Sequence, residues 1–96
     1  MSPTLDASDA PQVGVPYEFD LVTHCGIDEA RFGGVYWEAV KPLGAGGNAP
    51  AGWHDPHQHG TMTLRSATEA VFHDEAGHTV RFRARPGASS FKHQCM

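Results

Sequence analysis

The sequence predicts an all-β fold: a small antiparallel β-barrel or sandwich of five to six strands in a single domain. Three observations carry that expectation. Apolar and polar residues alternate over several short runs, which is the period of half-buried strands. Turn signals separate the runs, with 11 Gly and 7 Pro in 96 residues. No window long enough for a helix keeps a helical period. At 96 residues the chain falls short of the usual length for two domains, so a two-domain enzyme is excluded. A chain this small buries only about 60% of its unfolded surface, so a covalent or metal staple would matter to it.

Residues 1–15 mix Ser, Pro, Asp and Gly without periodicity and are expected to form a disordered leader, leaving 16–96 as the β domain. From Tyr17 the pattern alternates: Tyr17, Phe19, Leu21 and Thr23 fall on one face and Glu18, Asp20, Val22 and His24 on the other, until Cys25-Gly26 ends the strand. A hairpin follows. Residues 29–32 and 35–40 flank Gly33-Gly34, and a Gly-Gly loop favours the primed turns that tight hairpins need. That register sets Phe32 opposite Val35, Ala30 opposite Trp37 and Glu29 opposite Glu38, where the like charges predict that pairing begins to splay. Residues 41–60 are expected to form one long loop, of a length that is usually functional or mobile. A short strand is expected over 61–64 with Met62 and Leu64 inward. A second hairpin spans 69–85 around Asp74-Glu75-Ala76-Gly77, its arms carrying Ala70, Phe72, Val80, Phe82 and Ala84. The tail, if extended, places Phe91, His93 and Cys95 on one side.

Charge is unevenly spread. Residues 1–60 hold eight acids against Arg31 and Lys41, and residues 61–96 hold three acids against five bases, so the two parts are −6 and +2. That balance argues against nucleic acid as a general partner. The first residues show neither a basic start nor an apolar run, so no secretory signal is expected, and no stretch is apolar enough for a membrane span. The expected location is the cytoplasm, where thiols stay reduced, or a site reached without a signal, such as a phage particle or release by lysis.

The ordered set Thr23-His24-Cys25-Gly26-Ile27, Phe32-Gly33-Gly34 with Trp37, Pro50-Ala51-Gly52-Trp53 with Pro56, Gly60-Thr61-Met62-Thr63-Leu64, then Ala70, Phe72, Gly77, Val80, Phe82, Phe91 and Cys95 resembles a group of small proteins from actinobacteria and their bacteriophages. The resemblance covers about residues 17–95. It implies a bacterial or phage setting and no particular reaction. It further implies that the two cysteines belong to the shared pattern, whereas His54, His57 and His59 stand where other members often carry other residues.

Cys25 and Cys95 are far apart in sequence. If the tail returns to the end of the first strand, a disulfide between them closes a loop of about 70 residues, worth roughly 4 kcal/mol on the chain-entropy account. The alternatives are two buried free thiols or a metal role, and the spacing lacks the paired Cys-x-x-Cys of a zinc site. His93 and Cys95 would share one side of an extended tail, giving nitrogen and sulfur ligands of the kind zinc takes. His54-Asp55-Pro56-His57-Gln58-His59 is the densest cluster of potential ligands. Pro56 forbids a regular helix there, so His57 and His59 would chelate from an extended stretch, or the histidines simply face solvent. Arg81, Arg83 and Arg85 are expected to line the outer face of one strand, either as an anion-binding row or as a charged face neutralised by Glu69, Asp74 and Glu75.

Trp37 is expected in the core. Trp53 is either a plug holding the long loop over the sheet or an exposed anchor for a partner. His24 beside Cys25 is not the geometry that activates a thiolate, and no Gly-x-Ser-x-Gly, phosphate-cradling loop or His-Glu-x-x-His is present. The expectation is therefore a non-catalytic structural or protein-binding module. It would be stapled by Cys25 and Cys95, would present the 41–60 loop through residues such as Trp53 and His54, and would carry no cofactor. The competing expectation is a zinc-binding protein using His57, His59 or His93 with Cys95.

Overall fold

The computed structural model describes residues 2–5, 10–24, 26–44 and 49–92. Six strands, β1 (Pro16–Val22), β2 (Ile27–Phe32), β3 (Val35–Leu43), β4 (His57–Ser66), β5 (Glu69–His73) and β6 (Thr79–Ala84), form one antiparallel sheet in the order β1-β4-β5-β6-β3-β2. The sheet curls into a half-barrel. Its two edge strands approach through aromatic side chains: Phe19 meets Phe32 edge-on at 5.6 Å, and Tyr17 lies 6.1 Å from the same ring.

Alternation along each strand builds the interior. Leu21, Ile27, Trp37, Met62, Phe72 and Phe82 are fully enclosed, each contributing about 1.5–3 kcal/mol through removal of its side chain from water. The Trp37 indole N–H, buried with its ring, donates to the Phe32 carbonyl at 3.1 Å. In β4 the inward position 60 is glycine because the Phe72 ring fills its place. A Cβ added to Gly60 would stand 2.7 Å from that ring and nearer still to the His73 carbonyl oxygen.

The β2–β3 hairpin has the expected register, with Phe32 opposite Val35, Ala30 opposite Trp37 and Glu29 opposite Glu38. Both Gly33 and Gly34 have positive φ, at 61° and 74°, as a primed turn demands. The pairing is irregular between Ile27 and Glu29. The facing glutamates are each held by an arginine: Glu38 accepts from Arg83 at 2.9 Å and Glu29 from Arg85 at 2.9 Å.

The expected 41–60 loop is too long at both ends. β3 continues to Leu43, which pairs with Ile27, and Pro42 is tolerated because β6 pairs with β3 only as far as Ala39. At the other end the strand expected over 61–64 begins already at His57. Leu21, Asp20 and Phe19 of β1 pair with Gln58, His59 and Gly60, so neighbouring backbone overrides weak local strand preference. The connecting segment is thus residues 44–56, and His57 and His59 are strand residues on the outer face. Within the first 15 residues, Leu5 and Val15 pack against the core, Thr4 and Val13 form isolated bridges to Glu18 and Leu64, and a Cβ on Gly33 would strike the Pro11 ring. Cys25, His93 and Cys95 lie outside the described residues, and so does the pairing expected of the two cysteines. Among the described residues, no helix is long and apolar enough to cross a membrane.

Candidate functional site

At one end of the half-barrel β1 finishes, β4 starts and the β5–β6 turn reverses. Residues 49–56 cross this end, and a continuous set of hydrogen bonds ties them to all three. The main-chain N–H of Thr23, just past β1, donates to the Pro56 carbonyl at 2.8 Å, and the buried Thr23 hydroxyl donates to the His54 carbonyl. The His54 N–H donates in turn to Gln58 Oε1 at 2.8 Å. Gln58, buried at the inward position of β4, passes its amide N–H to Asp74 Oδ2 at 2.9 Å. Asp74 opens the β5–β6 turn. Its Oδ1 accepts from the His78 main-chain N–H at 2.9 Å, and its Oδ2 accepts from His78 Nδ1 at 2.7 Å.

Local sequence explains the turn. An aspartate whose carboxylate accepts from backbone a few residues on is a turn-former in its own right, and Gly77 supplies the positive φ of 90° that the reversal needs. Buried polar atoms must be paired or they cost stability, and among the described residues no buried side-chain nitrogen or oxygen is left without a partner. Burial pushes the Asp74 carboxyl up. The hydrogen bonds from the His78 ring and amide, the charge of that ring and the Gln58 amide outweigh it, so the carboxyl ends below its usual range.

Trp53 takes the plug position. Its ring stacks on His78 at 3.9 Å with an interplanar angle of 17° and lies 6.1 Å from Phe72, which puts it against the core. A second tie holds the exposed side of the segment: His24 Nδ1 donates to Asp55 Oδ1 at 2.9 Å, while Asp55 Oδ2 accepts from the Ala49 N–H at 3.2 Å. The His24 ring, and after it the Ala49 amide, hold the Asp55 carboxyl below the usual carboxylate range. Between these ties Ala51, Gly52, His54, Asp55 and Pro56 remain exposed.

The other expected site residues are dispersed. His57 is exposed at the start of β4. His59 sits between two β1 carboxylates, with Nδ1 2.6 Å from Asp20 and Nε2 3.3 Å from Glu18; the Asp20 hydrogen bond chiefly raises its pKa above the ordinary histidine value. His54 reaches the network through its main chain only. Among the described residues, no group of three or more His, Cys, Asp or Glu side chains is arranged to hold a metal ion. Arg81 and Arg83 occupy the outer face of β6, 3.8 Å from Glu69 and 2.9 Å from Glu38. Arg85 departs from the expected row because β6 ends at Ala84. Its guanidinium turns back to Glu29 on β2 and to the Ser90 carbonyl, both at 2.9 Å. Asp74, expected as a neutraliser of the arginines, is committed to His78 and Gln58.

Chemically the cap combines an oriented imidazole with an aromatic lid. An aspartate on Nδ1 is the arrangement that orients a histidine base, and the Thr23 hydroxyl of the same hydrogen-bond network donates to the His54 carbonyl. Thr23, Gln58, Asp74 and His78 were not singled out as site residues from sequence. The one local signal was Asp74 at the head of a Gly-bearing turn with His78 four residues on. No family model, no curated protein and no solved structure matches this chain.

Proposed function

We propose that the protein is a non-catalytic binding module that offers the 44–56 segment to a protein partner. The observation that carries this reading is the anchoring of residues 49–56 of that segment. Thr23 and Gln58 bond to it from two separate elements, Asp74 holds both Gln58 and the His78 ring on which Trp53 is stacked, and the side chains between the anchors face solvent. A segment ordered before binding loses less conformational freedom on association, so small contact areas suffice. The exposed set is one of Ala, Gly, Pro, His and Asp, without the basic surplus that nucleic acid needs, which favours a protein surface. The resemblance to actinobacterial and phage proteins supplies the source of partners.

Site-specific photocrosslinking tests the reading. Crosslinkers placed at Ala51 and at His54, in cells of that kind, are expected to trap one and the same protein, and a crosslinker at the exposed Arg65 is expected to trap none of it. Identical adducts from all three positions, or none from the first two, would overturn the proposal.

A further inference from the structure

Independently of the 44–56 segment, the outer edge of β1 carries a second surface. Along an edge strand, alternate residues turn their main-chain groups toward the neighbour and away from it. Glu18 turns its N–H away from β4 and donates it to the Pro3 carbonyl at 2.8 Å, and Thr4 forms a parallel bridge with the same residue. Asp20 and Val22 share that orientation by the alternation, and among the described residues nothing outside the sheet bonds to their main-chain groups. Beside this edge lies the seam where β1 and β2 approach without pairing. It holds a cleft of about 150 Å³ lined by Leu5, Glu18, Phe19, Arg31, Phe32 and Gly33. Leu5 packs against the core there.

We propose that this edge and cleft form a strand-accepting groove. The chain's own residues 2–5 occupy it, and an extended peptide from another polypeptide takes their place, running parallel to β1 with an aliphatic side chain where Leu5 lies. The seated segment displays the chemistry of the occupant: main-chain bonds to the strand edge supply affinity, and one apolar side chain against Phe19 and Phe32 supplies selectivity. Glu18 and Arg31 place opposite charges on the rim. Residues 2–5 act as a built-in competitor, because covalent attachment gives them an effective concentration in about the millimolar range.

The test uses a variant lacking residues 1–10, which keeps the contact of Pro11 with Gly33 and the bond from the Gln12 N–H to the Tyr17 hydroxyl. It is titrated with a synthetic peptide of the chain's residues 1–6 and followed by NMR. Saturable shifts are expected at Glu18, Phe19 and Phe32. Affinity is expected to be at least about tenfold weaker for the intact chain, and for a peptide carrying Leu5→Asp. No saturable shift, equal binding to the intact chain, or equal binding of the Leu5→Asp peptide would each overturn the proposal. Should the shortened chain not fold, Leu5→Asp in the full chain decides the matter by hydrogen exchange. The Glu18 amide is expected to exchange at least about tenfold faster, with the Phe19 amide unchanged; unaltered Glu18 exchange would overturn the groove.

Discussion

The β2–β3 and β5–β6 hairpin turns reverse the chain by different physics. The β2–β3 turn is local: Gly33 and Gly34 adopt positive φ, and the register of the arms follows from a two-residue loop. The β5–β6 turn starts from local sequence, Asp74 and Gly77, but is also tied to distant parts of the fold. Its reversal is held by the Asp74 carboxylate, which also reaches Gln58 on β4, and its His78 ring is covered by Trp53 from the 44–56 segment. A turn made from backbone preference alone serves only its own hairpin. A turn made from a buried charge is bound to everything that satisfies that charge, and here this includes the proposed binding segment.

Breaking the β5–β6 turn is expected to have the largest effect. Asp74→Ala leaves the buried Gln58 amide and the half-buried His78 ring N–H without their acceptor, and a loss of about 2–4 kcal/mol in chemical denaturation is expected. Amide exchange at Thr23 and His54 should quicken with it, since both belong to the same set of ties. Gly60→Ala probes the sheet between the turns: the added methyl meets the Phe72 ring and the His73 carbonyl, and about 1–3 kcal/mol should be lost by overpacking. The local turn is tested by Gly34→Ala, where the space is open but φ is 74°. About 1–2 kcal/mol should be lost, with the Thr23 and His54 amides unaffected. If Gly34→Ala loosened the cap as Asp74→Ala does, the contrast between the two turns would fail.

Acidity separates the turns further. The Asp74 carboxyl is held below its ordinary 3.8, so its contribution is complete above that pH and is lost as pH falls through the lower folded value. Stability measured across this acid range should therefore decline less steeply in Asp74→Asn than in the parent. The smallest effect is expected at His59, whose pKa is held above its ordinary 6.5 by Asp20 and then Glu18. Its contribution is complete below that pH and is lost as pH rises through the higher folded value. His59→Gln should remove this weak, salt-screened dependence.

Legibility in the sequence follows the same division. The β2–β3 register was readable because a Gly-Gly turn admits few pairings, and the inward sets of β1, β5 and β6 because large apolar residues recur at every second position. The start of β4 was not readable. Its inward residues are Gln58 and Gly60, which carry no apolar signal: one is buried as a hydrogen-bond bridge and the other makes room for the Phe72 ring. The cap was hidden for the same reason. Thr23, Gln58, Asp74 and His78 are spread over 56 positions of sequence, and nothing local marks them as mutual partners. Trp53 was visible as plug or anchor, and its stacking on His78 and its contact with the core select the plug.

Alternation and turn chemistry in the chain alone determined an antiparallel β domain, the positions of its β2–β3 and β5–β6 hairpins and most of its apolar interior, because those signals act between residues adjacent in sequence or across a short turn. Tertiary structure alone decided which polar residues are buried, where the 44–56 segment is tied, and how Arg81, Arg83 and Arg85 are distributed among Glu69, Glu38 and Glu29. A buried donor or a charged side chain is stabilised only by a partner brought from elsewhere, and the curl of the sheet sets which partners arrive.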